Sequence, residues 1–317
     1  MRLRYQFELI QLIRNFFGQQ GFLDVLTPPI VENPGMEVHI HPFEVHSTRS
    51  QKNLTKYLHT SPEFALKEVL ASEEENIEKL FSISYCFRDE PNSPVHRSQF
   101  IMLEWYRKNA RYEAIMKDTE DLIQFCLNSS SLPIKPELKK QPMVKMTMQE
   151  VFQKYLQIDI LQYLDVPSIK KLLMQFPDVP VPTSELDWDD YFFLLYLNKI
   201  EPEISKIPLI MIYEFPAPLA ALSTLKVSDP RACERFEVYV NGIELCNCFN
   251  ELTDIKEQKK RFNVQNESKK RLYGYQLPEP TSFYQALELG LPPCSGIALG
   301  IERLLLSLCK ISNPFFK

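Results

Sequence analysis

The run from Arg235 to Phe249 constrains this chain most: RFEVYV, then Asn241-Gly242, then IELCNCF. Two alternating segments separated by Asn-Gly predict a β-hairpin, because these two residues accept the positive φ that a type I′ turn needs at both central positions. An antiparallel sheet must be built around such a hairpin. A regular two-residue turn sets Val240 against Ile243, Tyr239 against Glu244 and Val238 against Leu245, so Glu237 and Glu244 share a face, roughly 5 to 8 Å apart. Like charges at that spacing repel unless a cation lies between them, and Mg²⁺ is commonly held by one or two carboxylates plus phosphate oxygens. A lone pair of acids is also what an ordinary solvated strand face presents. Its neighbours have to give it meaning.

Those neighbours come from a second pair of strands. Residues 80–90 alternate, with Ile83, Tyr85 and Phe87 on one face and Ser82, Ser84, Cys86, Arg88 and Glu90 on the other. A loop of about nine residues leads to FIMLEWYR, where Phe100, Met102, Glu104 and Tyr106 share a face. If these faces coincide, one surface offers an arginine that can clamp phosphate or carboxylate, a phenylalanine that can stack on a purine, and a Glu–Tyr pair that can take an ammonium group.

Elsewhere, apolar residues Leu9, Ile10, Ile13, Phe16 and Phe17 predict a helix over 5–20 that stops at Gly21, followed by an extended FLDVLTPPIV. TSPEFALKEVLA predicts a helix of about ten residues, with Ser61 as N-cap, Pro62 at the first helical position and Glu63 in the first turn. Between about 135 and 205 the character changes to prolines and helical runs, an insertion with no readable chemistry. CSGIALG followed by IERLLLSL predicts strand then helix. Only 8 glycines occur, against about 22 from average usage, so Gly296 and Gly300 in that strand each mark a backbone need. The expected fold class is α+β, an antiparallel sheet flanked by helices, as one domain over 1–317.

A net charge of −5 and a pI near 5.7 argue against a protein whose main affinity comes from neutralising phosphates. No window approaches eighteen uninterrupted apolar residues, and the N-terminus is amphipathic with no secretory signal, so a cytoplasmic protein without membrane contact is expected. The seven cysteines read as reduced thiols, and Cys246 and Cys248 lack the further ligands zinc would need.

CFRDE with HRSQFIMLEWYR resembles motif 2 of the class II aminoacyl-tRNA synthetases, SGIALGIERL resembles motif 3, and DVLTPP resembles motif 1, whose proline belongs to a dimer interface. TSPEFALK, MLEWYR and RFEVYVNGIELCNCFNELTD resemble the lysyl-tRNA synthetase branch. FNELTDIKEQKKRF, the MLEWYR strand and CSGIALG are most similar to the truncated paralogues of that branch that ligate lysine to elongation factor P. The resemblance implies ATP and Mg²⁺ as cofactors. It assigns Arg88 to the α-phosphate and the amino-acid carboxylate, Phe100 and Arg303 to a sandwich around adenine, and Glu90 and His96 to further ATP contacts. Glu237 and Glu244 would hold Mg²⁺. Glu63 would meet the amino group near the carboxylate, Asn247 the carboxylate itself, Glu104, Tyr106 and Glu251 the distal ammonium, and Phe249 the aliphatic chain. Arg88 and Arg303 are the expected catalytic pair.

Several positions depart from the pattern. The loop PNSPVHRSQ lacks the usual arginine just before the histidine and has Gln99 where the family has Glu. Cys248 replaces a glycine and is expected to narrow the pocket. Ala298 replaces a glycine too, and its methyl should crowd the α-amino side of bound lysine and favour (R)-β-lysine. In a regular strand Asn247, Phe249 and Glu251 fall on the opposite face from Glu244; a bulge between Glu244 and Asn247 would bring them together.

With motif 1 beginning by about residue 6, the chain is expected to lack an anticodon-binding domain. With the acidic pI, this favours elongation factor P over tRNA as acceptor. The expected enzyme is a homodimeric ATP-dependent ligase forming an acyl-adenylate of lysine or (R)-β-lysine. The alternatives are a minimal lysine-activating or tRNA-charging enzyme, and a non-catalytic dimeric binding subunit.

Overall fold

The computed structural model describes residues 2–49, 55–72, 76–183 and 186–315. Its strands in chain order are β1 (Leu23–Asp24), β2 (Ile30–Val31), β3 (Glu44–Val45), β4 (Lys56–Leu58), β5 (Lys79–Phe87), β6 (Gln99–Lys108), β7 (Val144–Thr147), β8 (Leu209–Pro216), β9 (Ala232–Val240), β10 (Ile243–Asn250) and β11 (Cys294–Gly300). Its α-helices are α1 (Arg2–Gln19), α2 (Glu63–Ala71), α3 (Tyr112–Leu127), α4 (Met148–Leu156), α5 (Val166–Leu173), α6 (Trp188–Leu195), α7 (Glu201–Ile204), α8 (Ile255–Tyr273), α9 (Thr281–Leu289) and α10 (Ile301–Leu308). The class is α+β, as expected. Contacts divide the chain into two compact units, Met1–Ile134 with Leu252–Lys317, and Lys135–Glu251.

In the first unit four strands run in the order β1-β5-β6-β11, and β2-β4-β3 form a separate three-stranded sheet. The pairs β5–β6 and β6–β11 are antiparallel, and β1 adds a parallel edge to β5. The β5–β6 register pairs Ser82 with Glu104, Ser84 with Met102 and Cys86 with Phe100, so the two faces anticipated from alternation do coincide. On the other face Phe81 and Trp105 meet Phe17 of α1 at ring separations of 4.9 and 5.1 Å. The apolar stripe Leu9, Ile13, Phe16 and Phe17 is what buries α1 there.

One local expectation is refined and another needs correction. FLDVLTPPIV forms no continuous strand: only β1 and β2 are regular, and Pro28-Pro29 between them cannot donate to a ladder. Helix α2 begins at Glu63 with Pro62, not Ser61, at the N-cap, and the Ser61 hydroxyl accepts only a long bond of 3.4 Å from the Glu63 N–H.

In the second unit the order is β10-β9-β8-β7, with β7 parallel to β8. The segment expected as a helical insertion supplies α4 to α7 and the unforeseen strand β7, and its apolar residues Val151, Phe152, Ile169, Leu172 and Phe192 are fully buried in one core with β8 and β9. The hairpin turn is as read, with φ of +49° at Asn241 and +79° at Gly242. Val240 faces Ile243 and Tyr239 faces Glu244, but the register then shifts: Val238 pairs with Cys246 and Asn247 with Glu237. The expected Val238–Leu245 pair therefore does not form. Leu245 is the extra residue of a bulge.

Candidate active site

The predicted site residues fall into two groups. Glu63, Arg88, Glu90, His96, Phe100, Glu104, Tyr106, Ala298 and Arg303 belong to the first unit, and Glu237, Glu244, Asn247, Phe249 and Glu251 to the second.

In the first group, β5 and β6 set a polar strip on one sheet face. Arg88 follows the end of β5, pinned by its N–H to the Ser98 carbonyl at 2.9 Å, and its guanidinium lies 5.2 Å over the Phe100 ring. Its Nε also points to the Thr60 carbonyl at 3.4 Å. Further along the face Glu104 is 1% exposed, and the Tyr106 hydroxyl donates to its Oε2 at 3.2 Å. Gly296 stands across from Tyr106 in the β6–β11 ladder, and a Cβ there would lie 2.0 Å from the ring. Any side chain at 296 would displace the tyrosine, which explains one of the scarce glycines. Ala298 stands directly across from Glu104.

The loop between β5 and β6 carries Glu90 and His96. Nη2 of Arg303, in the first turn of α10, lies 2.7 Å from Nε2 of His96, while His96 Nδ1 meets the Ser93 hydroxyl at 2.9 Å. The guanidinium can only donate, so His96 is neutral with its proton on Nδ1. Partial burial and the charge of Arg303 both lower the imidazole pKa. Arg97, which directly follows the histidine where the family's arginine precedes it, donates to the Ser93 and His96 carbonyls and lies 4.4 Å from the Phe315 ring.

Glu63 opens α2 and pairs at 2.5 Å with Lys67, which is 1% exposed at its side chain. Sequence reasoning passed over its neighbour Glu37, whose carboxyl pKa is pushed up by burial and by the charge of Glu63. Gly35, at φ +128°, leaves room for it, since a Cβ there would meet Glu37 Oε2 at 2.7 Å. The loop is tied down by buried Lys269 of α8, which donates to the Ile40 carbonyl at 2.7 Å and has its pKa lowered by burial to about 8.

In the second group the bulge at Leu245 does what the parity argument required: Glu237, Glu244, Asn247 and Phe249 share one face. Cys248 pairs with Phe236 on the opposite face and is fully buried, so it does not narrow a pocket lined by Asn247. Glu251 is buried and bridged to Ser223. The unforeseen residue is Arg235. Its guanidinium pairs with Glu237, donates at 3.0 Å to Asn247 Oδ1 and at 3.2 Å to the Leu219 carbonyl, and lies 5.5 Å from the Phe249 ring. Burial opposes its charge, but Glu237 and Glu244 more than offset this and raise its pKa. The second oxygen of Glu237 accepts from the Tyr239 hydroxyl at 2.5 Å. Part of the cation that two neighbouring acids demand is thus built into the strand. The signal was present in RFEVYV, where Arg235 and Glu237 share parity.

A strand–loop–strand bearing an arginine over a phenylalanine, and a glycine-bearing strand running into a helix that presents an arginine, define a class. The model of the class II tRNA synthetases (D, K and N) matches residues 1–313, and the chain belongs to that family. Among its curated relatives is an elongation factor P–(R)-β-lysine ligase of Hamiltonella defensa, 36% identical over 308 residues that make up 96% of this chain and 90% of the relative. Ligases of the same name from Proteus mirabilis and Salmonella arizonae are each 34% identical, over 94% and 93% of this chain and 88% and 86% of theirs. Among the described residues no helix is long and apolar enough to cross a membrane.

Proposed function

We propose that this chain is an ATP-dependent ligase that activates (R)-β-lysine or lysine as an acyl-adenylate and passes it to a lysine side chain of elongation factor P. One observation carries the reading: a single sheet face holds Arg88 over Phe100, suited to a phosphate and a purine, and then the buried Glu104–Tyr106 pair, suited to an ammonium group. A substrate with a carboxylate at one end and an ammonium at the other fits a strip of that polarity.

In the first step a carboxylate oxygen of the amino acid attacks the α-phosphorus of ATP, and the bond to the β-phosphate oxygen breaks to release pyrophosphate. Arg88 offsets the charge that develops on the α-phosphate, and Phe100 and Arg303 hold the adenine. In the second step the neutral ε-amine of the acceptor lysine attacks the acyl carbon, AMP leaves with the bonding pair, and the proton lost from the nitrogen passes to the departing phosphate or to solvent. Positioning and charge stabilisation suffice, with no covalent enzyme nucleophile.

Glu237 and Glu244 would hold Mg²⁺, which supplies charge neutralisation on the phosphates. Their carboxylate oxygens are hard donors of the kind Mg²⁺ takes, and although both oxygens of Glu237 are engaged by Arg235 and Tyr239, each retains a further lone pair. Two acids against one arginine leave a negative balance that a divalent ion can use. Glu63, Asn247, Phe249 and Glu251 complete the amino-acid contacts, and Glu90 and His96 those to ATP. We further propose a cytoplasmic homodimer, one catalytic domain to each chain, that does not use tRNA.

Amino-acid-dependent exchange of labelled pyrophosphate into ATP tests the activation step. Exchange with (R)-β-lysine exceeding that with lysine is expected. No exchange with either would point to a non-catalytic binding subunit.

A further inference from the structure

We infer that Glu302 is a positioning residue for the nucleotide: its carboxylate binds β6 at Ile101 where the β6–β11 ladder stops, and thereby fixes the separation of Phe100 from Arg303. The inference rests on the proposed placing of adenine between those two side chains.

The last pair in the ladder is Gly300 with Met102. Beyond it the chain leaves the sheet and turns into α10, so β11 offers no carbonyl to the next N–H of β6. The side chain of Glu302 fills that place. Its Oε1 and Oε2 accept the Ile101 N–H at 3.1 and 3.0 Å, and Oε1 also accepts Nε2 of Gln6, from α1, at 3.2 Å. Glu302 and Gln6 are both deeply buried, at 4% and 2% exposure.

An acid in the first turn of a helix is ordinarily a surface residue that interacts with the helix dipole. This one has been taken out of water among neutral N–H donors, which costs free energy that an apolar residue would not incur. The cost shows in a carboxyl pKa pushed up by burial to about 7. What the carboxylate gains is a joint between three elements. Ile101 directly follows Phe100, whose ring lies under Arg88, and Glu302 directly precedes Arg303, whose guanidinium reaches His96. The joint is therefore one residue away from each proposed adenine contact, and Gln6 extends it to α1.

The test measures ATP and lysine kinetics separately in pyrophosphate exchange, on purified folded variants. Glu302→Met keeps the approximate volume and removes the acceptor. It is expected to lower kcat/KM for ATP roughly 10- to 100-fold, the scale of a misplacement of about 1 Å, with KM for lysine unchanged. Glu302→Gln keeps an acceptor oxygen for Ile101 and should recover most of that loss. Gln6→Met removes one donor from a different helix and should raise KM for ATP in the same direction by a smaller factor, which keeps the test open should Glu302→Met not fold. Phe100→Ala and Arg303→Ala are measured alongside. If both retain the wild-type KM for ATP, the adenine reading has failed. If they lose ATP while folded Glu302→Met and Gln6→Met do not, the inference about Glu302 has failed. Equal damage to lysine and ATP, or Gln performing no better than Met, would reduce Glu302 to a structural residue and overturn the inference as well.

Discussion

Nη2 of Arg303 donates to Nε2 of His96 across 2.7 Å, although the two side chains are 207 residues apart in sequence. The pairing requires an unprotonated Nε2, and the guanidinium itself helps to lower the imidazole pKa after burial. A folded-state pKa below the usual value leaves His96 neutral at neutral pH and opposes its protonation. The pairing therefore holds above the ordinary imidazole range and is lost as pH falls through the depressed value. Affinity for ATP should weaken on the acid side in wild type, and His96→Gln should remove that part of the pH profile. Identical acid limbs of the two ATP-binding curves would contradict this.

Glu237 has its charge matched by Arg235 on the same strand, and Glu244 lies on the same face. If these acids hold Mg²⁺, Glu244→Gln should cut amino-acid-dependent pyrophosphate exchange by at least ~10²-fold, the scale for losing a key electrostatic contact. Its Mg²⁺ dependence should shift to higher concentration. Wild-type exchange at wild-type Mg²⁺ would refute the metal assignment.

Leu3 and Phe7 of α1, with Leu23, Leu26 and Ile30 after it, are exposed at 37, 57, 48, 81 and 48%. Exposed apolar side chains along α1 and the segment after it are what a partner surface would cover, and the resemblance of DVLTPP to motif 1 supports the proposed dimer. Sedimentation should give twice the 37.2 kDa chain mass. A monomer at micromolar concentration would contradict the dimer.

Ala298 stands across from Glu104, inside the strip assigned to the amino acid. Removing its methyl should improve activation of lysine relative to (R)-β-lysine, by roughly 5- to 150-fold if the crowding costs about 1–3 kcal/mol. The ratio of the two kcat/KM values in wild type and Ala298→Gly measures it. An unchanged ratio would show that another residue sets the choice.

How much of this was legible follows physical lines. The Asn241-Gly242 turn and the β5–β6 faces were readable because turn φ values and period-two alternation are local properties of sequence. The bulge at Leu245 was foreseeable only as a conflict, since two sets of roles could not both hold in a regular strand. Arg235 went unnoticed because an arginine on an alternating strand reads as surface until the partner that buries it is known. Glu302 and Lys269 were invisible for the same reason: their partners, Gln6 with Ile101 and Ile40, lie some two hundred or more residues away. Helices α8 and α9 drew no reading, α8 in particular because its many charges obscure the narrow face buried by Gln258, Phe262 and Lys269.

The central claim is transfer of an activated lysine to a protein acceptor. The purified chain with ATP, Mg²⁺ and labelled (R)-β-lysine should place label on elongation factor P, with AMP released in equal amount, and leave total tRNA unlabelled in a parallel reaction. Labelled tRNA with unmodified elongation factor P would contradict the account.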